Sequence, residues 1–127
     1  MKSVEVLTVD KNFAVGNDIV FMPDFDKSLT QLFKNKVYTS GEIDYCELFD
    51  NSLLRYASTW AAKEAVYKAV KQLYPKPLAW KKIEISREKI AGKPQVILHT
   101  QHQPNNISLS ISHDGDYVWA VAIAEKI

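Results

Sequence analysis

Apolar and polar positions follow two periods along this chain, a period of two near each end and a period close to 3.6 in the middle. Val4, Val6 and Thr8 alternate with Glu5, Leu7 and Val9, and a second β-rich run extends from Phe13 to Phe21. These predict two strands, or one that bends. After Pro23, the positions of Phe25, Leu29, Leu32 and Phe33 predict a short amphipathic helix, with Asp24 or Asp26 available to open it. Thr39 followed three residues later by Glu42 has the form of a capping box and predicts a helix through Cys46 to about Phe49. A long helix is predicted from about Ser52 to Tyr74, ending at Pro75, which cannot continue helical hydrogen bonding. Beyond it, Ile83 and Ile85 alternate with Glu84 and Ser86, "AGKP" reads as a turn, and "QVILH" as a partner strand. In the last hairpin, Ile107, Leu109 and Ile111 face one way and Ser108, Ser110 and Ser112 the other. "HDGD" carries an Asp-Gly turn, and the run from Tyr117 to Ala124 returns. Helices in the first half and strands in the second predict an α+β fold.

The 127 residues suit one domain spanning 1–127, since no repeat or linker interrupts the pattern. Sixteen Lys and Arg against 15 Asp and Glu leave a net charge of +1, so no global field draws nucleic acid or an anionic membrane. Any anion site must be local. No apolar run approaches the ~18 residues of a membrane-spanning helix, and a cytoplasmic location is expected. Cys46 is the single cysteine, which excludes an internal disulfide and an all-Cys zinc site. With no His or Cys near it in sequence, it reads as a buried structural thiol.

On a helical wheel, Ala62, Ala65, Val66, Ala69 and Leu73 fall within an arc of about 100° and predict close packing against a sheet. Trp60, Glu64, Tyr67, Lys68 and Lys71 fall opposite, with Glu64 and Lys68 one turn apart. Spacing alone reads that pair as a solvated ion pair. Trp60 and Tyr67 on the same face predict that a ligand or another subunit covers it. In "GNDIV", Asp18 lies within a β-rich run, where a carboxylate is costly unless hydrogen-bonded, paired or bound to a cation. It reads as an Asp accepting backbone N–H bonds, or as half of a site. If Asp18 and Glu64 converge, two hard oxygen donors suit Mg²⁺, and Lys68 then meets a phosphate oxygen. His113, in phase with Ile107, Leu109 and Ile111, reads as a hydrogen-bonded turn residue or as a base or ligand. His99 and His102 lack a third ligand at metal spacing and read as solvated loop residues. Neither a Gly-rich phosphate loop nor a Gly-x-Ser-x-Gly elbow is present.

Four stretches, in this order, resemble a known family: "GNDIV" at 16–20, "WAAKEAVYKA" at 60–69, "GKP" at 92–94 and "SISH" at 110–113. Together they are similar to the small phosphopantetheinyl transferases of the holo-acyl-carrier-protein synthase type, over most of the chain from Phe13 to Glu125. The resemblance implies transfer of 4′-phosphopantetheine from coenzyme A to a serine of an apo acyl or peptidyl carrier protein, releasing adenosine 3′,5′-bisphosphate. It implies that Asp18 and Glu64 bind Mg²⁺ and that Lys68 holds a phosphate oxygen, the three forming the catalytic set. Lys68, Trp60, Lys93, Pro94, Ser112 and His113 would contact coenzyme A. The serine proton would pass to Glu64, a metal-bound water or His113. A homotrimer with sites between subunits is implied as well. The alternative is a catalytically weak relative that binds coenzyme A or a carrier protein.

The chain also departs from the family pattern. "VKQLYPKP" follows the Lys-Ala pair where the family has a Gly-Thr-Gly loop, Thr59 replaces an Arg, and Phe21 replaces a Glu. These departures predict that contacts to the nucleotide or the metal shell are made differently. Asp24 stands where the family places an Arg that docks acidic carriers, which predicts a less basic docking face, with Lys27, Lys34 and Lys36 remaining, and a specialised carrier.

Overall fold

The computed structural model describes residues 4–8, 12–87 and 93–126. Strand β1 (Phe13–Phe21) leads through three short helices, α1 (Met22–Ser28), α2 (Gln31–Val37) and α3 (Ser40–Cys46), into the long helix α4 (Ser52–Leu73). A 3-10 turn at Trp80–Lys82 opens β2 (Ile83–Ser86), followed by β3 (Gln95–Leu98), β4 (Asn106–Asp114) and β5 (Tyr117–Glu125). The fold is α+β, as the pattern predicts. An antiparallel sheet in the order β1-β5-β4 packs on α4, and β2 pairs with β3 as a separate antiparallel ribbon. No helix among the described residues is long and apolar enough to cross a membrane.

Helix and sheet meet at backbone distance. A Cβ added at Gly16 would stand 2.0 Å from the Ala65 carbonyl oxygen and 2.7 Å from the Ala69 nitrogen, so only glycine lets β1 lie this close to α4. Ala62, Ala65, Val66 and Ala69 are buried as the wheel predicts, whereas Leu73 is only partly covered. The buried arc is wider than the apolar stripe and takes in Thr59, Lys63 and Val70.

The outer, aromatic side of α4 is covered by the chain itself. Trp60 packs on Phe33 of α2 and on Trp80, with ring centroids 5.1 and 4.8 Å apart, and Tyr67 lies 4.8 Å from the same Trp80. This corrects the expectation that a ligand or another subunit must cover both aromatics. Cys46 is fully buried 3.8 Å from the Thr59 hydroxyl, and burial pushes its thiol up to about 11. It is the structural thiol expected.

Residues 4–8 form no strand, and Val4, Val6 and Leu7 are exposed; Val9 lies outside the described residues. Their alternation has no facing layer to bury it. The single helix expected after Pro23 is two, because the Thr30 side chain accepts from the Phe33 N–H at 3.1 Å and starts α2 afresh. Helix α1 begins before Asp24, at Met22, and carries Pro23 in its first turn, where a missing N–H costs nothing. At α3 both bonds of the capping box form: the Glu42 N–H donates to the Thr39 hydroxyl and the Thr39 N–H to the Glu42 carboxylate. Gly92 of the expected turn lies outside the described residues. Gly115, at φ +56°, is the first of the two residues that join β4 to β5.

Strand register sorts the sheet into two faces. Asp18 pairs with Ala120 and Ala120 with Ile111, a row that faces α4 along with Gly16, Ala122 and Leu109. The opposite face carries the rows of Ile19 with Trp119 and Ser112, and of Val15 with Ile123 and Ser108. Val15, Ile19, Trp119 and Ile123 on that face are all exposed.

Candidate active site

The row containing Asp18 ends on an open cleft of 370 Å³ between β1, α1 and α4, lined among others by Asp18, Asp24, Phe25, Phe33, Trp60 and Glu64. Asp18 reaches it from the α4-facing side of β1, and Glu64 from the flank of α4 that the alanines leave free. One turn further along the helix, the Lys68 ammonium donates to Asp18 Oδ1 at 2.9 Å and to the Asn17 carbonyl at 3.0 Å. The Asp18 carboxylate is 11% exposed while Lys68 is 52% exposed, so the acid is held in the wall and the lysine can swing outward. Burial, and next the Asp18 carboxyl hydrogen-bonded to it, push Glu64 up to about 8, with Lys68 pulling the other way. Two carboxylates thus converge and need a positive charge or a proton between them. The structure brings together the three residues, Asp18, Glu64 and Lys68, that the sequence singled out from segments some 50 positions apart.

The residue beside Glu64 is one the sequence reading missed. Lys63 is fully buried, and its ammonium donates to Glu42 Oε1 at 2.7 Å and to the Ile83 carbonyl. Glu42 Oε1 also accepts the Thr39 N–H, and Oε2 the Ile85 N–H at 2.8 Å. Burial lowers the proton affinity of Lys63 and the Glu42 carboxylate opposes that shift. This clamp ties α4 to α3 and β2 and fixes the roll of the helix that presents Glu64. The capping box marked Glu42, but nothing local marks its second partner.

The other residues expected near a cofactor lie at the β4 side of the sheet. Lys93 and Pro94 line a 420 Å³ cleft between β3 and β4, and Pro94 and His113 line a 360 Å³ cleft that also holds Arg55 and Arg87. Ser112 and His113 point to opposite faces, Ser112 in the row of Trp119 and His113 in the row of Val118. In one chain these positions therefore do not converge on the Asp18 cleft. His99 is an exposed loop residue, as expected, and also bonds Glu84 at 2.9 Å; His102 is exposed as well.

A family model described as the 4′-phosphopantetheinyl transferase superfamily matches residues 14–122. The chain belongs to that superfamily. Within the superfamily it is similar to the holo-[acyl-carrier-protein] synthase of Chlamydia trachomatis, 38% identical over 120 residues that span 89% of this chain and 99% of that one. Among solved structures of phosphopantetheinyl transferases, it is similar to the ACPS-CoA complex of Chronobacterium ammoniagenes, with a TM-score of 0.77 and 27% identity over 91% of this chain and 98% of that one. The Helicobacter pylori holo-[acyl-carrier-protein] synthase in complex with coenzyme A gives a TM-score of 0.74 at 28% identity, over 88% of this chain and 99% of that one. The resemblance read from the four motifs is borne out.

Proposed function

We propose that this chain transfers 4′-phosphopantetheine from coenzyme A to a serine of an apo carrier protein, releasing adenosine 3′,5′-bisphosphate, with Asp18, Glu64 and Lys68 carrying the chemistry. The observation that supports it most is the contact of Lys68 with Asp18 at 2.9 Å, beside a Glu64 carboxyl whose proton affinity is raised by burial and by the neighbouring Asp18. Two carboxylates at the wall of one cleft, with an ammonium bonded to one of them, make a charge pattern suited to a cation and a phosphate.

The residues present fit Mg²⁺. The ion favours one or two carboxylates, with water and substrate phosphates completing the shell. Asp18 and Glu64 would hold it with water and phosphate oxygens making up the rest of the shell, since among the described residues no group of three His, Cys, Asp or Glu is gathered for a metal. When bound, such an ion neutralises charge on the pyrophosphate that would otherwise repel an incoming oxygen. Lys68, released from Asp18, meets a phosphate oxygen as a mobile point charge. The half-buried Trp60 and Phe33 form the apolar wall of the cleft and limit water near the reacting phosphate.

Three copies assembled about the exposed sheet face accord with this reading. Val15, Ile19, Trp119 and Ile123 form a contiguous apolar surface of a kind monomeric proteins seldom leave in water. In such an assembly the β4 side of one copy could meet the β1 side of another, which would unite residues that lie apart in a single chain.

The test is to incubate the protein with coenzyme A, Mg²⁺ and a panel of apo carriers and to follow the carrier by intact mass. A gain of one phosphopantetheine on one carrier is the expected result. Coenzyme A binding with no gain on any carrier would make the chain a binding module instead.

A further inference from the structure

Strand β1 lies at the edge of its sheet, in the order β1-β5-β4. Its even-numbered residues bond across to β5, since the Asn12 carbonyl accepts the Lys126 N–H at one end and the Met22 N–H donates to the Asp116 carbonyl at the other. The odd-numbered carbonyls therefore face outward, and α4 supplies donors to two of them. The Gln72 amide donates to the Val15 carbonyl at 2.8 Å, and the Lys68 ammonium donates to the Asn17 carbonyl at 3.0 Å. Four residues of helix advance about 6 Å and two of strand about 6.6 Å, so donors one turn apart meet successive outward carbonyls. Gly16, between the two, keeps strand and helix close enough for both side chains to reach. The Gln72 amide nitrogen also donates to the Lys68 carbonyl at 3.0 Å, which fixes the side chain along the helix. Helix α4 runs on to Leu73 through "VKQL", where the family pattern breaks into a Gly-Thr-Gly loop, so this second tie belongs to the departure.

The two ties differ in what else they can do. Lys68 also bonds Asp18 at 2.9 Å, is half exposed and carries the charge that a phosphate attracts. When it turns to a phosphate oxygen, Asn17 and Asp18 lose their partner at the moment Asp18 must stay beside Glu64. Gln72 is neutral and competes for neither a cation nor a phosphate, so its bond to Val15 persists in both states. Val15 lies three residues before Asp18 on the same strand, and anchoring it limits the drift of the carboxylate.

We infer that Gln72 is a positioning residue that holds β1 against α4, so that Asp18 stays beside Glu64 while Lys68 is away. The inference rests on the transfer reading for the departure of Lys68. The double tie stands on the geometry alone.

Two measurements test it, and the first needs neither coenzyme A nor Mg²⁺. Hydrogen exchange of residues 13–21, followed by mass spectrometry, compares the wild-type chain with Gln72→Leu, Lys68→Met and the double variant. Position 72 is exposed and leucine matches glutamine in helix propensity, so the fold survives. Each single variant should exchange within about threefold of wild type, because the other tie remains. The double variant should exchange on the order of thirtyfold faster, more than the product of the single effects. The second measurement is steady-state transfer to a carrier. Gln72→Leu should lower kcat about tenfold with KM for coenzyme A within about twofold. Gln72→Lys, whose flexible stem lets an ammonium reach the Val15 carbonyl as Lys68 reaches that of Asn17, should recover most of the loss. Single effects that merely multiply in the double variant would overturn the shared tie. A normal kcat in Gln72→Leu, or a loss that Gln72→Lys leaves in place, would overturn the positioning role. A wild-type chain that shows the exchange pattern but loads no carrier would sink the transfer reading, and the positioning role with it, while the tie stands.

Discussion

Replacing Gly16 by Ala should damage this protein out of proportion to one methyl group. The new Cβ would lie 2.0 Å from the Ala65 carbonyl oxygen, about 1 Å inside the closest approach that real Cβ atoms tolerate, and 2.7 Å from the Ala69 nitrogen. Both obstacles are backbone, so no side chain can turn away; strand and helix must separate. Overpacking of this kind costs roughly 1–3 kcal/mol, which in a domain of this size lowers Tm by something like 5–10 °C. The functional loss should be larger. Asp18 lies two residues along β1 on the same face, and a shift of about 1 Å there stretches its 2.9 Å contact with Lys68 beyond hydrogen-bond range. Transfer measured by carrier mass gain should fall at least tenfold at a temperature where circular dichroism shows the variant folded. Ala65→Gly should not restore it, since the obstructing atom is the carbonyl oxygen. Wild-type transfer and wild-type Tm in Gly16→Ala would refute the reasoning, as would full rescue by Ala65→Gly.

Other expectations follow from the same geometry. Asp18→Ala and Glu64→Gln should each nearly abolish transfer while chemical denaturation midpoints stay close to wild type; a normal rate in either would remove that residue from the site. Lys63→Met should cost about 3–5 kcal/mol in urea unfolding, because it leaves the Glu42 carboxylate buried without its cation. A loss under 1 kcal/mol would show the clamp to be passive. The Cys46 thiol, pushed up to about 11 by burial, should resist a disulfide reagent at pH 8 until the chain is unfolded. Because this pKa is raised in the folded state, its contribution to stability is complete below about pH 9 and drains away as pH rises toward 11; Cys46→Ala should flatten that alkaline decline. Carrier affinity should weaken only mildly with salt. Lys34 is already engaged by Glu47 at 3.7 Å and by the Tyr56 ring, which leaves Lys27 and Lys36 on two helices that also carry Asp24 and Asp26.

The front of α4 was legible because its chemistry repeats at one helical turn, and the "GNDIV" strand because an Asp among β-formers asks for a partner. Their meeting was legible only through motifs elsewhere in the chain. Lys63 was not, since the wheel places it on the flank and its partner Glu42 lies 21 positions away on another helix. Nor was the break at Thr30, whose cap lacks the reciprocal acidic residue that makes Thr39 conspicuous. The aromatics Trp60 and Tyr67 were read as awaiting a partner because Trp80, which covers them, follows two prolines that suggest only a loop. The arginine cleft joins three elements, and no local period announces such a place.

The apolar outer face of the sheet makes stability a matter of mass action as well as of sequence. If copies of the chain cover Ile19 and Trp119 for one another, folding and association share one equilibrium, and the melting temperature climbs with protein concentration. Dilution would then drain activity per mole without any residue of the cleft being touched. A lysine in place of Ile19 would reproduce at high concentration what dilution does to the natural chain.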